Sequence, residues 1–462
     1  MFLHISKYSW VRHGHLASES TRKFLRQPWA GGVVLLTCVI LAMIFANMEW
    51  SAHLYHELLT TDLSMVFHAH DNSFNILYPE DMTFEKFVND ALMVIFFFGV
   101  GLEIKREVMA GELSSMKKAT LPILAAVGGM IVPAIIYSSI NNGSPVEMGW
   151  GIPMATDIAF AIAVLSMMGD RVPPALKIFL TALAIADDLG AIIVIALFYG
   201  GEINFLLLLI ALIIMVGVYT MNRLGERRMV YYIVPAIVIW SLFYYSGVHA
   251  TMSGVAMALL IPTEPRYSKS YFLRHTALLQ GRIRKIEHCN EQGAHAEEQY
   301  HELLQEMSQL SKGSIPMTAR LEEGLAPYIT YIVMPVFALV NGGVKIDSEH
   351  FNIIGDIFNG GGSIGLGIIL GLMVGKPVGI FLMSWLAVKF KLATMPSNAT
   401  WFMLFGVACL GGIGFTMSIF VDTLAFSSVN IDFVDQGKIA IILGSLASAI
   451  LGVVVIMLAR KK

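Results

Sequence analysis

The sequence predicts an all-α polytopic membrane protein, with about twelve transmembrane helices, inverted repeats and two crossing discontinuous helices. Hydrophobic residues make up 56% of the 462 and charged residues only 14%, where ordinary soluble domains carry roughly 25%. Mean hydropathy is +0.67. About a dozen apolar stretches approach the roughly 20 residues that a spanning helix needs. Barrel strands would be about 10 residues long and alternate in polarity, so helices are expected. Two stretches, around Asp157 and around Gly412, are interrupted by glycine or proline.

Taken in order, residues 1–27 contain basic residues but no continuous apolar core of a signal peptide, and read as a cytoplasmic tail. Spans 1–8 fall within 28–262, starting with WAGGVVLLTCVILAMIFANM. Residues 263–326 form a cytoplasmic insertion, spans 9–12 occupy 327–459, and 460–462 close the chain on the cytoplasmic side. Most of the 31 Lys and Arg lie before Pro28, between Lys105 and Lys118, from Asp170 to Lys177, from Asn222 to Arg228, in the insertion, near Lys389 and Lys391, and at the C-terminus. Glu49 to Thr83, Asn141 to Gly149 and Gly200 to Asn204 contain none. The positive-inside rule therefore places both termini in the cytoplasm, with an even number of spans. The Glu49 to Thr83 loop carries no strong hairpin signal. The net charge of -3 is too small to argue anything about partners, and no nucleic-acid partner is expected.

Cys38, Cys289 and Cys409 lie far apart and offer neither a disulfide framework nor a metal-ligand spacing. In the insertion, Ile283, Ile286, Tyr300, Leu303, Leu304, Met307 and Leu310 recur at helical spacing, which predicts one or two amphipathic helices broken near CNEQGAH. His275, His288, His295 and His301 lack a tight ligand spacing, so a solvated helical excursion is favoured over a metal site.

The ionisable residues at membrane depth are Asp157, Asp187, Asp188 and Lys376, with Asp90, Glu103 and His249 nearer span ends. Asp187 and Asp188 sit in an apolar run from Lys177 to Tyr199. A carboxylate in hydrocarbon costs on the order of 3 kcal/mol, so such groups face a cavity and bind or relay something. Gly149, Gly151 and Pro153 precede Thr156 and Asp157, and Pro377 disfavours helical geometry at Lys376. Gly151-Ile152 and Thr156-Asp157-Ile158-Ala159-Phe160 are echoed by Gly412-Ile413 and Thr416-Met417-Ser418-Ile419-Phe420. Half-helix ends expose about half a unit charge each, which Asp157 can offset at positive ends and Lys376 at negative ones. The simpler alternative is that the glycines only let helices pack closely.

The strings NDALMVIFFFGVGLEIKRE, GWGIPMATDIAFAI, PPALKIFLTALAIADDLGAIIVIALFY, SGVHATMSGVAMALLIP, VGKPVGI and GIGFTMSIF resemble the NhaA family of bacterial sodium/proton antiporters. Inverted repeats with broken helices are described for that family. The resemblance covers nearly all of 28–459 except most of the insertion. It implies that Asp187 and Asp188 bind the transported Na+, Li+ or H+. It implies that Thr156, Asp157 and Lys376 compensate charge at the helix crossing, that Glu103, Glu107, His249 and Glu322 serve the pH response, and that Asp90 marks an entrance. Glu323 replaces a family histidine, the insertion is long, and Asp422 is an unusual acid late in the eleventh span; these bear on the pH set-point. The resemblance also implies a homodimer in the bacterial inner membrane, without a cofactor.

The residues support the same chemistry. Desolvation penalises a charged carboxylate, so protons and sodium compete for one pair of acids, and sodium, a hard cation, wants oxygen ligands. Two protons against one monovalent cation move net charge, giving electrogenic Na+/H+ exchange by alternating access; with what the resemblance implies, the expected function is a pH-regulated Na+(Li+)/H+ antiporter. An intramembrane aspartyl protease is disfavoured because Asp187 and Asp188 are about 100° apart on one helix; no enzyme is expected. A sodium-coupled symporter of an organic anion on a similar fold is the alternative, and a passive cation channel the third reading.

Overall fold

The computed structural model describes residues 27, 29–63, 66–69, 72–75, 82–201, 203–288, 294–346, 362–427 and 429–459. Residues 1–26 and 460–462 of the expected tails, and Cys289, lie outside these. Among the described residues, nine helices are long and apolar enough to cross a membrane, or ten with one bent pair counted as a single span. The chain is a multi-pass membrane protein. Against the expected twelve, the shortfall falls on Val230–Tyr245 and Thr251–Leu260, apolar helices shorter than the roughly 20 residues a bilayer asks for.

Chain contacts divide the protein into two units, one of residues 1–96, 107–201 and 328–462, the other of 97–106 and 202–327. Unit 1 begins with α1, Ala30–Asn47, and α2, Glu49–Thr60. Strands β1, Val66–Ala69, and β2, Asn72–Asn75, then pair antiparallel with Val66 opposite Asn75. This hairpin carries no strong sequence signal, because His70 and Asp71, between the strands in sequence, are not an Asn-Gly-type turn pair. Tyr55 of α2 donates to the carbonyl of Leu339 at 2.6 Å; burial, and then Glu85, hold its phenol above the usual tyrosine range.

Helix α3, Phe84–Ala110, contains a π turn at Val88–Leu92. Helix α4, Met116–Asn141, follows. A 3-10 segment, Glu147–Met154, then leads to α5, Ile158–Met167, and α6, Pro174–Phe198. Unit 2 holds α7, Phe205–Arg223, α8, Val230–Tyr245, and α9, Thr251–Leu260. Their core joins Ala211, Val218, Tyr232, Ile239 and Met257. The insertion forms α10, Lys269–His288, and α11, Ala294–Ser314, packed on each other. In it Tyr271 stacks on His275 with ring centroids 3.8 Å apart.

Helix α12, Met317–Asn341, carries a second π turn at Ile329–Val333, and α13, Ile364–Lys389, a third at Gly371–Gly375. Helices α14, Trp401–Leu410, and α15, Phe415–Phe426, bend by 46° at the glycines between them, and α16, Ile431–Leu458, ends the fold. Close packing of α4 on α13 fixes Lys376. A Cβ on Gly379 would lie 2.1 Å from the carbonyl oxygen of Gly128, so only glycine allows the helices to approach this far. Lys376 itself is helical, with φ -63 and ψ -54, not distorted as Pro377 suggested. The π turn immediately before it shifts the hydrogen-bond ladder, and Pro377 falls in the first turn of the helix that resumes, where a missing N–H costs little.

Candidate functional site

Both chain breaks lie in unit 1, and they touch. Ala155 and Asp157 are extended, with ψ of 149 and 98, since Pro153 and the glycines before it weaken a helix here. Backbone groups freed by the break find tyrosines. Tyr137 Oη donates to the Val146 carbonyl at 2.8 Å. Tyr199 Oη donates to the Met148 carbonyl at 2.8 Å and accepts from the Gly151 N–H at 3.1 Å. A Cβ on Gly151 would sit 2.6 Å from Tyr199 Oη, so glycine is needed there.

At the crossing, the Asp157 N–H donates to the Ile413 carbonyl at 2.7 Å, and Ser418 Oγ donates to the Ile152 carbonyl at 2.8 Å. The Asp157 carboxylate accepts from the Phe160 N–H at 3.0 Å on Oδ1. On Oδ2 it accepts from the Thr416 N–H at 3.3 Å and the Thr416 hydroxyl at 2.5 Å. One carboxylate therefore meets the first turns of both α5 and α15, where partial positive charge collects.

Beside it, α6 carries Asp187 and Asp188 and α13 carries Lys376, all at most 2% exposed. Lys376 Nζ donates to Asp187 Oδ2 and to Thr156 Oγ1. The Thr156 hydroxyl lies 2.6 Å from Asp187 Oδ2 and 2.8 Å from the Gly411 carbonyl. Having one hydrogen, it donates to only one of them at a time. Among the described residues, Lys376 is linked to the end of α14 through this hydroxyl. Asp187 Oδ1 is buried and accepts no hydrogen bond from any described residue. Asp188 is close enough to act electrostatically on Lys376. A cavity of about 360 Å³, lined by Glu112, Lys117, Lys118, Phe179, Ala182 and Thr394 among others, reaches a little over one helical turn short of Asp187.

The cluster thus unites Thr156, Asp157, Asp187 and Lys376, with Asp188 adjacent. Asp90 and Glu107 sit elsewhere in unit 1, both on α3. Asp90 is half-buried in the first π turn, next to Asn89, which exchanges amide hydrogen bonds with Asn341 at 3.1 and 2.8 Å. Glu107 accepts from the Glu112 N–H at 2.9 Å and so closes the turn after α3. Glu103, Glu322 and His249 belong to unit 2. Glu322 pairs with Arg106, and His249 lies between α8 and α9. Sequence reasoning missed Thr416 as an Asp157 partner, although its echo of Thr156 was the available signal. It also missed Tyr137, Tyr199 and the Asn89–Asn341 pair, for which single polar residues at span ends give no spacing to read.

A family model described as Na+/H+ antiporter 1 matches residues 22–456. A protein of Bacteroides thetaiotaomicron named Na(+)/H(+) antiporter NhaA is 40% identical over 95% of this chain and 97% of its own length. A Helicobacter pylori protein of the same name is 40% identical over 94% of both chains. A Christiangramia forsetii protein of that name is 38% identical over 96% of this chain and 95% of its own. Broken helices crossing at Asp157, a buried lysine paired with one of two adjacent aspartates, and similarity along nearly the whole length lead to one conclusion: the chain belongs to the Na+/H+ antiporter 1 family.

Proposed function

We propose that this chain exports Na+, and Li+ by the same chemistry, in exchange for H+, with Asp187 and Asp188 as the shared binding groups. The observation that carries this reading is the Lys376–Asp187–Thr156 cluster beside the crossing. Lys376 neutralises Asp187 while the site holds neither sodium nor a proton on that carboxylate. An arriving sodium takes the carboxylate oxygens and the Thr156 hydroxyl as ligands, because a hard cation prefers oxygen, and Lys376 yields its place. Protons reaching the two acids from the other side displace the cation. Since the site holds either protons or sodium, alternating access yields obligatory exchange, and two protons per cation make it electrogenic. Asp157 meanwhile holds the opposed half-helix ends together whichever side is open.

The same reading places the protein in the bacterial inner membrane as a homodimer with both termini cytoplasmic. Glu103, Glu107, His249 and Glu322 then tune its pH response and Asp90 lies at an entrance. No organic anion is invoked, as the lone buried ammonium in the cluster is already engaged by Asp187. The test is flux in proteoliposomes, with and without a valinomycin clamp. Sodium added to one side should drive proton release, faster when the membrane potential is clamped. Sodium flux indifferent to the proton gradient would instead indicate a channel, and flux that requires an organic anion a symporter.

A further inference from the structure

A fourth buried acid takes no part in the exchange described above. Asp422 lies on α15 beyond Thr416 and is fully buried, and neither of its oxygens accepts a hydrogen bond from any described residue. It is pressed against α16: a Cβ on Gly437 would lie 2.0 Å from Asp422 Oδ1 and 2.5 Å from its Cγ. Lys438 and Asp435 of α16 are the charged groups close enough to act on it, and Lys438 is only 5% exposed. Tyr137 and Tyr199 are near enough to feel its charge. Their hydroxyl hydrogens are committed to the Val146 and Met148 carbonyls, so neither can also donate to Asp422.

An ionised carboxylate sealed without donors is strongly disfavoured, whereas a neutral carboxylic acid tolerates the same place. Because these tyrosines bind the 146–148 segment, Asp422 lies toward the face that the distribution of basic residues puts outside. We propose that Asp422 is a second proton-binding site, distinct from the Asp187–Asp188 pair, which takes its proton from the outer medium. When that face opens, the proton passes to water and Lys438 offsets the carboxylate left behind; on closing, the proton returns. The link to transport rests on the exchange reading, while proton binding at Asp422 does not.

The test uses the full-length protein. Infrared spectra of purified wild type should show a protonated-carboxyl stretch near neutral pH that Asp422→Asn removes. Asp422→Asn resembles the protonated form in shape and charge, so it should fold as the wild type does. Lys438→Met, which deletes the countercharge, should keep that stretch to more alkaline pH. In proteoliposomes, Asp422→Asn should retain exchange but shift its dependence on outer pH by about one unit, a tenfold change in proton affinity, and leave dependence on inner pH unmoved. An unchanged spectrum in Asp422→Asn overturns the site, and coincident outer-pH profiles overturn its role in transport. If the wild type fails to exchange sodium for protons while Asp422→Asn still loses the stretch, the exchange reading falls and the proton site stands.

Discussion

At the scale of single residues, Thr156 Oγ1 links Lys376, Asp187 and the Gly411 carbonyl. It accepts from Lys376, and its one hydrogen must choose between Asp187 and the Gly411 carbonyl. If Lys376 serves to neutralise Asp187, its charge should matter more than the shape of its head group. Lys376→Arg should keep exchange with weaker sodium affinity, since guanidinium holds a carboxylate by two bonds. Lys376→Ala should lose most activity and melt several degrees lower, because breaking a buried pair costs about 3–5 kcal/mol. Flux assays alongside melting in detergent check both; an alanine variant that melts and exchanges like the wild type removes Lys376 from the mechanism. Asp188→Asn should abolish exchange in a protein that still elutes as a folded species, and sodium-dependent proton release by it would contradict the assignment. Asp157, Asp187, Asp188 and Lys376 were legible in the sequence because charge at membrane depth is costly and so conspicuous. Tyr137 and Tyr199 were not, since tyrosine near the end of an apolar span ordinarily reads as an interface anchor.

At the scale of elements, helix interruptions were legible where glycine and proline cluster, at 149–157 and 409–414, and illegible where they take the form of π turns. The turns at Val88–Leu92 and Ile329–Val333 have no composition of their own. The third, Gly371–Gly375, was mistaken for a distortion at Lys376 because proline marks a helix defect without saying on which side the ladder absorbs it. Packing of α4 on α13 gives a sharp test. Gly379→Ala forces its Cβ to within 2.1 Å of the Gly128 carbonyl oxygen, which should part the helices, displace Lys376 and lower both melting temperature and flux by more than Gly281→Ala, whose Cβ meets nothing within 4 Å. Equal effects of the two substitutions would show that the close approach is unimportant. The insertion was read correctly as helical, through the spacing of Tyr300, Leu303, Leu304, Met307 and Leu310 along α11. Deleting residues 270–312 should leave exchange intact and move its pH profile by less than about one unit, as surface charges are screened beyond about 8 Å; a folded but inactive deletion would make these helices part of the cycle.

At the scale of the whole molecule, the membrane class follows from composition alone, whereas the grouping of residues 97–106 with 202–327 does not, because contacts between distant spans leave no trace in local pattern. Net charge movement is the property that belongs to no single part. Clamping the interior negative should raise the exchange rate if two protons enter per cation leaving, and a rate blind to voltage would mean a one-for-one cycle. The cavity that ends near Ala182 bears on how this happens. A solvated recess conducts, so little of the transmembrane voltage drops along it. The voltage drops instead across the packed protein beyond the recess, where Asp187, Asp188 and the crossing are buried. Each elementary charge carried through 100 mV is worth about 2.3 kcal/mol, and a recess that enters one side leaves less than the roughly 30 Å hydrocarbon core over which that work is done. If Asp187 and Asp188 carry the exchange, their displacement need not span the whole bilayer for the protein to draw on most of the membrane voltage.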